Sequence, residues 1–152
     1  MKEIPNTQPI DVLLVEDNPG DARLAVEAFK DGGSRLKSTL HHVKDGVEAL
    51  DFLHRRGKHA SAVRPDIVLL DLNLPRKDGR EVLAEIKEDD DLKLIPVLIL
   101  TTSQAERDIL ETYSLHANGY VSKPLDLDEF AGVVESIKDF WFTTAKLPQE
   151  DK

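Results

Sequence analysis

Apolar residues gather in three unbroken runs and two weaker strand-like stretches, and the segments between them carry helical spacing. Val12-Leu13-Leu14-Val15, Ile67-Val68-Leu69-Leu70 and Val97-Leu98-Ile99-Leu100 are unbroken runs of four. Runs of that length, ended by a turn signal, read as strands buried on both faces. The first strand is predicted over roughly Val12 to Glu16. A weaker second strand lies around Ser38 to Val43, and a short fifth over Gly119 to Ser122. Between them, Ala22, Ala25, Val26 and Phe29 repeat at helical spacing after Asn18-Pro19, an N-cap with proline at the first helical position. Gly32-Gly33 is the expected stop of that helix. Asp45-Gly46 opens a second helix with Val47, Leu50 and Leu53 on one face. Asp78 with Glu81, Ser103 with Glu106, and Asp126 with Glu129 have capping-box spacing and open three more. The fourth helix has a thin apolar face (Ile109, Leu110, Tyr113), which implies low local stability. Strictly alternating strands and helices predict an α/β fold, a doubly wound open parallel sheet with helices on both faces.

In such a sheet the carboxyl ends of the strands line one edge, where ligands bind. The polar residues at those ends are Glu16 and Asp17, Asp71, Thr101, and Lys123 ahead of Pro124. Three carboxylates, one hydroxyl and one ammonium from separate strands are therefore expected to converge. Adjacent carboxylates repel unless a cation neutralises them, and hard oxygens suit magnesium. An aspartate can accept phosphate covalently, a lysine can supply a point charge to a phosphate oxygen, and a threonine can donate a hydrogen bond to another. The arrangement reads as a site for Mg2+ and a phosphoryl group.

Composition narrows the function classes. The 152 residues suit one domain, and 40% hydrophobic with 32% charged residues is ordinary for a soluble globular chain. No run approaches the ~20 apolar residues of a membrane span, and residues 1–9 lack a signal core, so cytoplasmic localisation is expected. With no cysteine, thiol catalysis, disulfides and cysteine-bound zinc are excluded. A net charge of −9 argues against nucleic-acid binding. Arg55-Arg56 with Lys58 reads as a solvated turn in the long His54–Arg64 loop. His41 and His42 would point to opposite faces of a strand, and the other histidines form no ligand spacing.

The stretches Leu14-Val15-Glu16-Asp17-Asn18, Leu69-Leu70-Asp71-Leu72-Asn73-Leu74-Pro75 with Asp78-Gly79, Val97 to Thr101, and Gly119-Tyr120-Val121-Ser122-Lys123-Pro124 resemble the receiver domain of two-component response regulators. The likeness runs from Ile10 to about Phe140. It implies the flavodoxin-like receiver fold with strand order 2-1-3-4-5. It also implies that Asp71 is the phosphoacceptor for a histidine kinase, and that Glu16, Asp17, Asp71 and the Asn73 backbone carbonyl hold Mg2+. Glu16 stands where many members carry aspartate. By the same resemblance Thr101 and Tyr120 form a switch pair, Lys123 binds phosphate, and the Lys123–Pro124 bond is cis. The fourth helix, fifth strand and fifth helix would present the readout surface, and Asn73 and Ser103 lie where the family tunes dephosphorylation.

The expected organisation is a flexible N-terminus over 1–9, a receiver over 10–139 and a C-terminal extension over 140–152, with no output domain. The regulator would then act by protein contact or by phosphorelay. Phe140-Trp141-Phe142 cannot all face one core, because helix neighbours diverge by ~100°. With Leu147 and Pro148 they are expected to form an arm that joins two protomers in a homodimer. The tail, the His54–Arg64 loop and the segment Leu72 to Lys87 look like phytochrome-associated regulators, which implies a light-sensing kinase as partner. The alternative is an enzyme, a Mg2+-dependent aspartyl-phosphate phosphatase or phosphotransferase. Such enzymes place a second acid two residues after the acceptor, whereas Asn73 cannot ionise. The expectation is a phosphoacceptor signalling domain rather than an enzyme.

Overall fold

The computed structural model describes residues 10–30, 38–102, 105–124 and 126–144, and for 127 and 142–144 the backbone alone. Strands β1 (Ile10–Val15), β2 (Ser38–Val43), β3 (Ile67–Leu70), β4 (Val97–Thr101) and β5 (Gly119–Ser122) form one parallel sheet in the order β2-β1-β3-β4-β5. The helices between and after them are α1 (Pro19–Lys30), α2 (Gly46–His54), α3 (Gly79–Glu88), α4 (Glu106–Ser114) and α5 (Leu127–Ile137). A π-helical segment, Lys138–Thr144, continues α5. Among the described residues no helix is long and apolar enough to cross a membrane.

Side chains alternate across a strand, so each strand feeds two cores. Leu13, Val15, Val68, Leu70, Val97 and Ile99 pack with Leu50, Phe52, Val82, Leu83 and Ile86 of α2 and α3. Val12, Leu14, Ile67, Leu69, Leu98 and Leu100 pack with Ala25, Phe29, Phe130 and Val134 of α1 and α5. All four side chains of β3 are fully buried, as an unbroken apolar run in a central strand requires. The edge strand β2 keeps Thr39 and His42 exposed.

The predicted caps hold at most helix starts. Asn18 Oδ1 accepts the Asp21 N–H (3.0 Å), Asp45 accepts from Glu48 (2.8 Å), Asp78 from Arg80 (3.0 Å) and Asp126 from Glu129 (2.8 Å). The fourth helix differs from expectation. It begins at Glu106 after Ala105, which has no side chain to cap with. Glu106 thus occupies the first turn's opening position, not the third that a capping box needs. Ser103, the Gly32-Gly33 stop and the flexible N-terminus expected over 1–9 lie outside the described residues. The Lys123–Pro124 bond is trans, because no peptide bond among the described residues is cis. For X–Pro the trans form is the default by about 0.5–1 kcal/mol.

The long loop follows Arg55, which ends α2 in the left-handed region (φ 56°). Arg56 pairs with Asp51 (3.3 Å) and Lys58 with Glu48 (3.0 Å), both at the surface, as expected of a solvated turn. Three of the histidines hydrogen-bond within the chain. His41 meets Asp11 (3.0 Å), His42 the Glu16 carbonyl (2.7 Å) and His59 Glu48 (3.0 Å).

Candidate functional site

The sheet's hydrogen-bond ladder runs one residue past the strand ends and fixes the backbone of each residue beyond them. The Glu16 N–H donates to the Val43 carbonyl (3.1 Å), Asp71 to Val15 (3.1 Å) and Lys123 to Thr101 (2.7 Å). The three side chains consequently start from rigid positions just beyond β1, β3 and β5. This is the convergence anticipated from the apolar runs.

Oxygens of Glu16, Asp17 and Asp71 all lie within 4.8 Å of one another. Glu16 and Asp71 are buried, while Asp17 opens to solvent. Among the described residues this is the one group of acids and histidines placed to share an ion. Three hard carboxylates with one side open to water fit magnesium, which keeps part of its water shell.

The Lys123 ammonium sits in the middle of the acids. It bonds Asp71 Oδ2 (3.1 Å), Asp21 Oδ2 (2.9 Å) and Glu16 Oε1. Burial alone would lower its pKa, but the bonds to Glu16 and Asp21 and the charge of Asp71 raise it above the usual lysine value. Burial pushes Glu16 up to about 7, against the pull of Lys123 and the Asn18 N–H (3.1 Å) and with repulsion from Asp71. A further cation beside Glu16 would offset that burial. Asn73 is exposed, and its N–H makes a long contact (3.4 Å) with Asp71 Oδ1.

Thr101 closes β4 fully buried, in register with Ser122. Tyr120 is half-buried against the α2/α3 core. Asp21 was not expected here. An acid in the first turn of α1 reads from sequence as a helix-end charge, and nothing local marks its reach to a lysine 102 positions away.

Of the arm residues, Phe140 is about half exposed and stacks edge-on with Trp141, ring centres 5.3 Å apart. Trp141 packs partly onto the α1/α5 core. The Phe142 side chain, Leu147 and Pro148 lie outside the described residues.

Comparison with known proteins gives one family throughout. The model of the response regulator receiver domain matches residues 12–135. Response regulator Rcp1 of Synechocystis sp. is 47% identical over 137 residues, covering 90% of this chain and 92% of Rcp1. The crystal structure of Mn(2+)-bound Rcp1 matches with TM-score 0.86 and 46% identity, over 93% of this chain and all of that one (100%). The phosphorylated cyanobacterial phytochrome response regulator RcpA matches with TM-score 0.87 and 47% identity, over 93% and 100%. The probable methanogenesis regulatory protein FilR2 of Methanothrix harundinacea is 41% identical over 140 residues, 92% of this chain and 88% of FilR2. Strand order and relatives agree: the chain belongs to the response regulator receiver domain family.

Proposed function

We propose that this receiver accepts a phosphoryl group on Asp71 from a sensor histidine kinase, with Mg2+ held by Glu16, Asp17, Asp71 and the Asn73 carbonyl. The observation that carries the reading is the meeting of those three carboxylates within 4.8 Å, with Lys123 bonded to Asp71. An Asp71 oxygen attacks phosphorus, an O–P bond forms, and the P–N bond of the phosphohistidine breaks with its electron pair going to the imidazole. When bound, Mg2+ supplies charge that orients the donor and offsets charge on the transferring oxygens. Lys123, already against Asp71, takes one phosphoryl oxygen, and the buried Thr101 hydroxyl takes another. Those bonds exist in one arrangement of the switch pair Thr101 and Tyr120, so phosphorylation shifts population toward it and resets the surface of α4, β5 and α5. The output is protein contact or phosphorelay.

RcpA's description as a phytochrome response regulator, at 47% identity over nearly the whole chain, supports a phytochrome-type kinase as partner. Half-exposed Phe140 beside Trp141 supports a homodimer joined through the extension over 140–152.

Intact-protein mass after incubation with Mg2+ and a small acyl phosphate tests the reading. One phosphate on the wild type and none on Asp71→Asn is the expected result, and a stably labelled mutant would sink the assignment. A chain ended after Lys138 is expected to be monomeric in light scattering. A dimer that survives that truncation places the interface elsewhere.

A further inference from the structure

We infer that Arg80 is a positioning residue that ties α4 to the loop carrying Asp71, an inference that rests on Asp71 being the phosphoacceptor. Arg80 lies in the first turn of α3, and the start of α3 is pressed onto the acceptor's backbone. The Gly79 N–H donates to the Leu72 carbonyl (2.9 Å). A Cβ at Gly79 would collide with the Asp71 carbonyl oxygen and come within 2.7 Å of Leu72 Cα, so only glycine allows this approach. The Asp71 backbone and the root of Arg80 therefore move together.

The other end of Arg80 holds α4. Its Nη2 donates to Asp108 Oδ1 and its Nε to Glu111 Oε1, both at 2.7 Å, while Nη1 meets both Asp78 oxygens at 3.2 Å. All three guanidinium nitrogens are engaged, in the planar fork that lysine cannot reproduce. The Arg80 and Asp108 side chains are 25% and 15% exposed, so solvent screens this pair less than a surface pair. Burial by itself would lower the arginine's pKa, but its bonds to Asp108 and Asp78 raise it. It stays cationic.

Among the described residues, apolar burial adds little to hold α4. Thr112 is its one buried residue, and that hydroxyl bonds back to the Asp108 and Ile109 carbonyls of its own helix (3.0 Å each). Leu110 and Tyr113 are 66% and 49% exposed. A helix with so few apolar anchors sits where its charged contacts put it.

Hydrogen exchange on the full chain, without phosphate, decides the first half. Arg80→Gln is expected to speed α4 amide exchange about tenfold or more and to leave β3 and the body of α3 unchanged. The pair Asp108→Asn and Glu111→Gln, which spares the Asp78 cap, should do the same, and adding Arg80→Gln to it should do nothing further. Unchanged α4 exchange in either variant overturns the inference. The second half uses Mg2+ with beryllium fluoride, a phosphoryl-like adduct whose presence fluorine NMR reports. The adduct should change α4 exchange in the wild type and not in Arg80→Gln. An equal response in both would mean that α4 follows Asp71 by another route, and the coupling would be wrong. No adduct on wild type would reject the phosphoacceptor reading and the coupling with it, while the phosphate-free comparison would still decide whether Arg80 holds α4.

Discussion

Helices α3 and α4 each follow a buried central strand, and Arg80 joins them, yet they are fastened in opposite ways. α3 starts from a side-chain cap, Asp78, and buries Gly79, Val82, Leu83 and Ile86. α4 starts after Ala105, whose own side chain makes no cap bond, and buries Thr112 alone. One is held by area removed from water, which falls off only when the core opens. The other is held by charges, which a new charge nearby can redistribute. Under the proposed function, an acceptor held rigid beside a surface that moves calls for one helix of each kind.

The largest test of this contrast lies in α3. Leu83 is fully buried, so Leu83→Ala is expected to cost ~2–5 kcal/mol in urea unfolding. A loss well under ~1 kcal/mol would break the comparison from the α3 side. A smaller effect is expected in α2, which combines both fastenings. It buries Ala49, Leu50, Phe52 and Leu53, and its Glu48 accepts from Lys44 N–H (3.1 Å) and pairs with Lys58 and His59 (3.0 Å each). Burial would raise the Glu48 pKa, but those three partners together hold it at about 2 against an ordinary 4.5. A depressed carboxylate stabilises the fold above its unfolded pKa and stops doing so as pH falls through the folded one. Glu48→Gln should therefore cost roughly 1–2 kcal/mol at neutral pH, discounted because Lys58 is largely exposed. The gap between wild type and variant should close between about pH 4.5 and 2. A gap that persisted unchanged at pH 2 would show that the carboxylate charge is not its source. The smallest effect belongs to α4, where Leu110→Ala is expected to stay within ~0.5 kcal/mol. A cost near that of Leu83→Ala would mean that α4 is anchored by packing after all.

The sequence carried the sheet and most of the site for a physical reason. Apolar runs of four mark central strands, and the topology then brings strand ends together, so the meeting of Glu16, Asp17 and Asp71 with Lys123 could be read from pattern. β2, β3 and β5 have the predicted limits, while β1 runs over Ile10–Val15, beginning before Val12 and ending before Glu16. What stayed hidden depends on where long side chains reach. Asp21 meets Lys123, and Arg80 meets Asp108 and Glu111, across elements whose spacing no local period encodes. The start of α4 was misplaced because a Ser-to-Glu spacing is a common local pattern, and the chain here enters the helix later. The trans Lys123–Pro124 bond differs from what the family resemblance implied.

The chain has a single tryptophan, and it stands where the core gives way to the extension. Trp141 is half-covered by the α1/α5 core, with Phe140 against its edge. Its indole emission therefore comes from one known place and shifts with the water around that place. Anything that seats on the extension, or lifts it from α5, announces itself optically in the unlabelled protein.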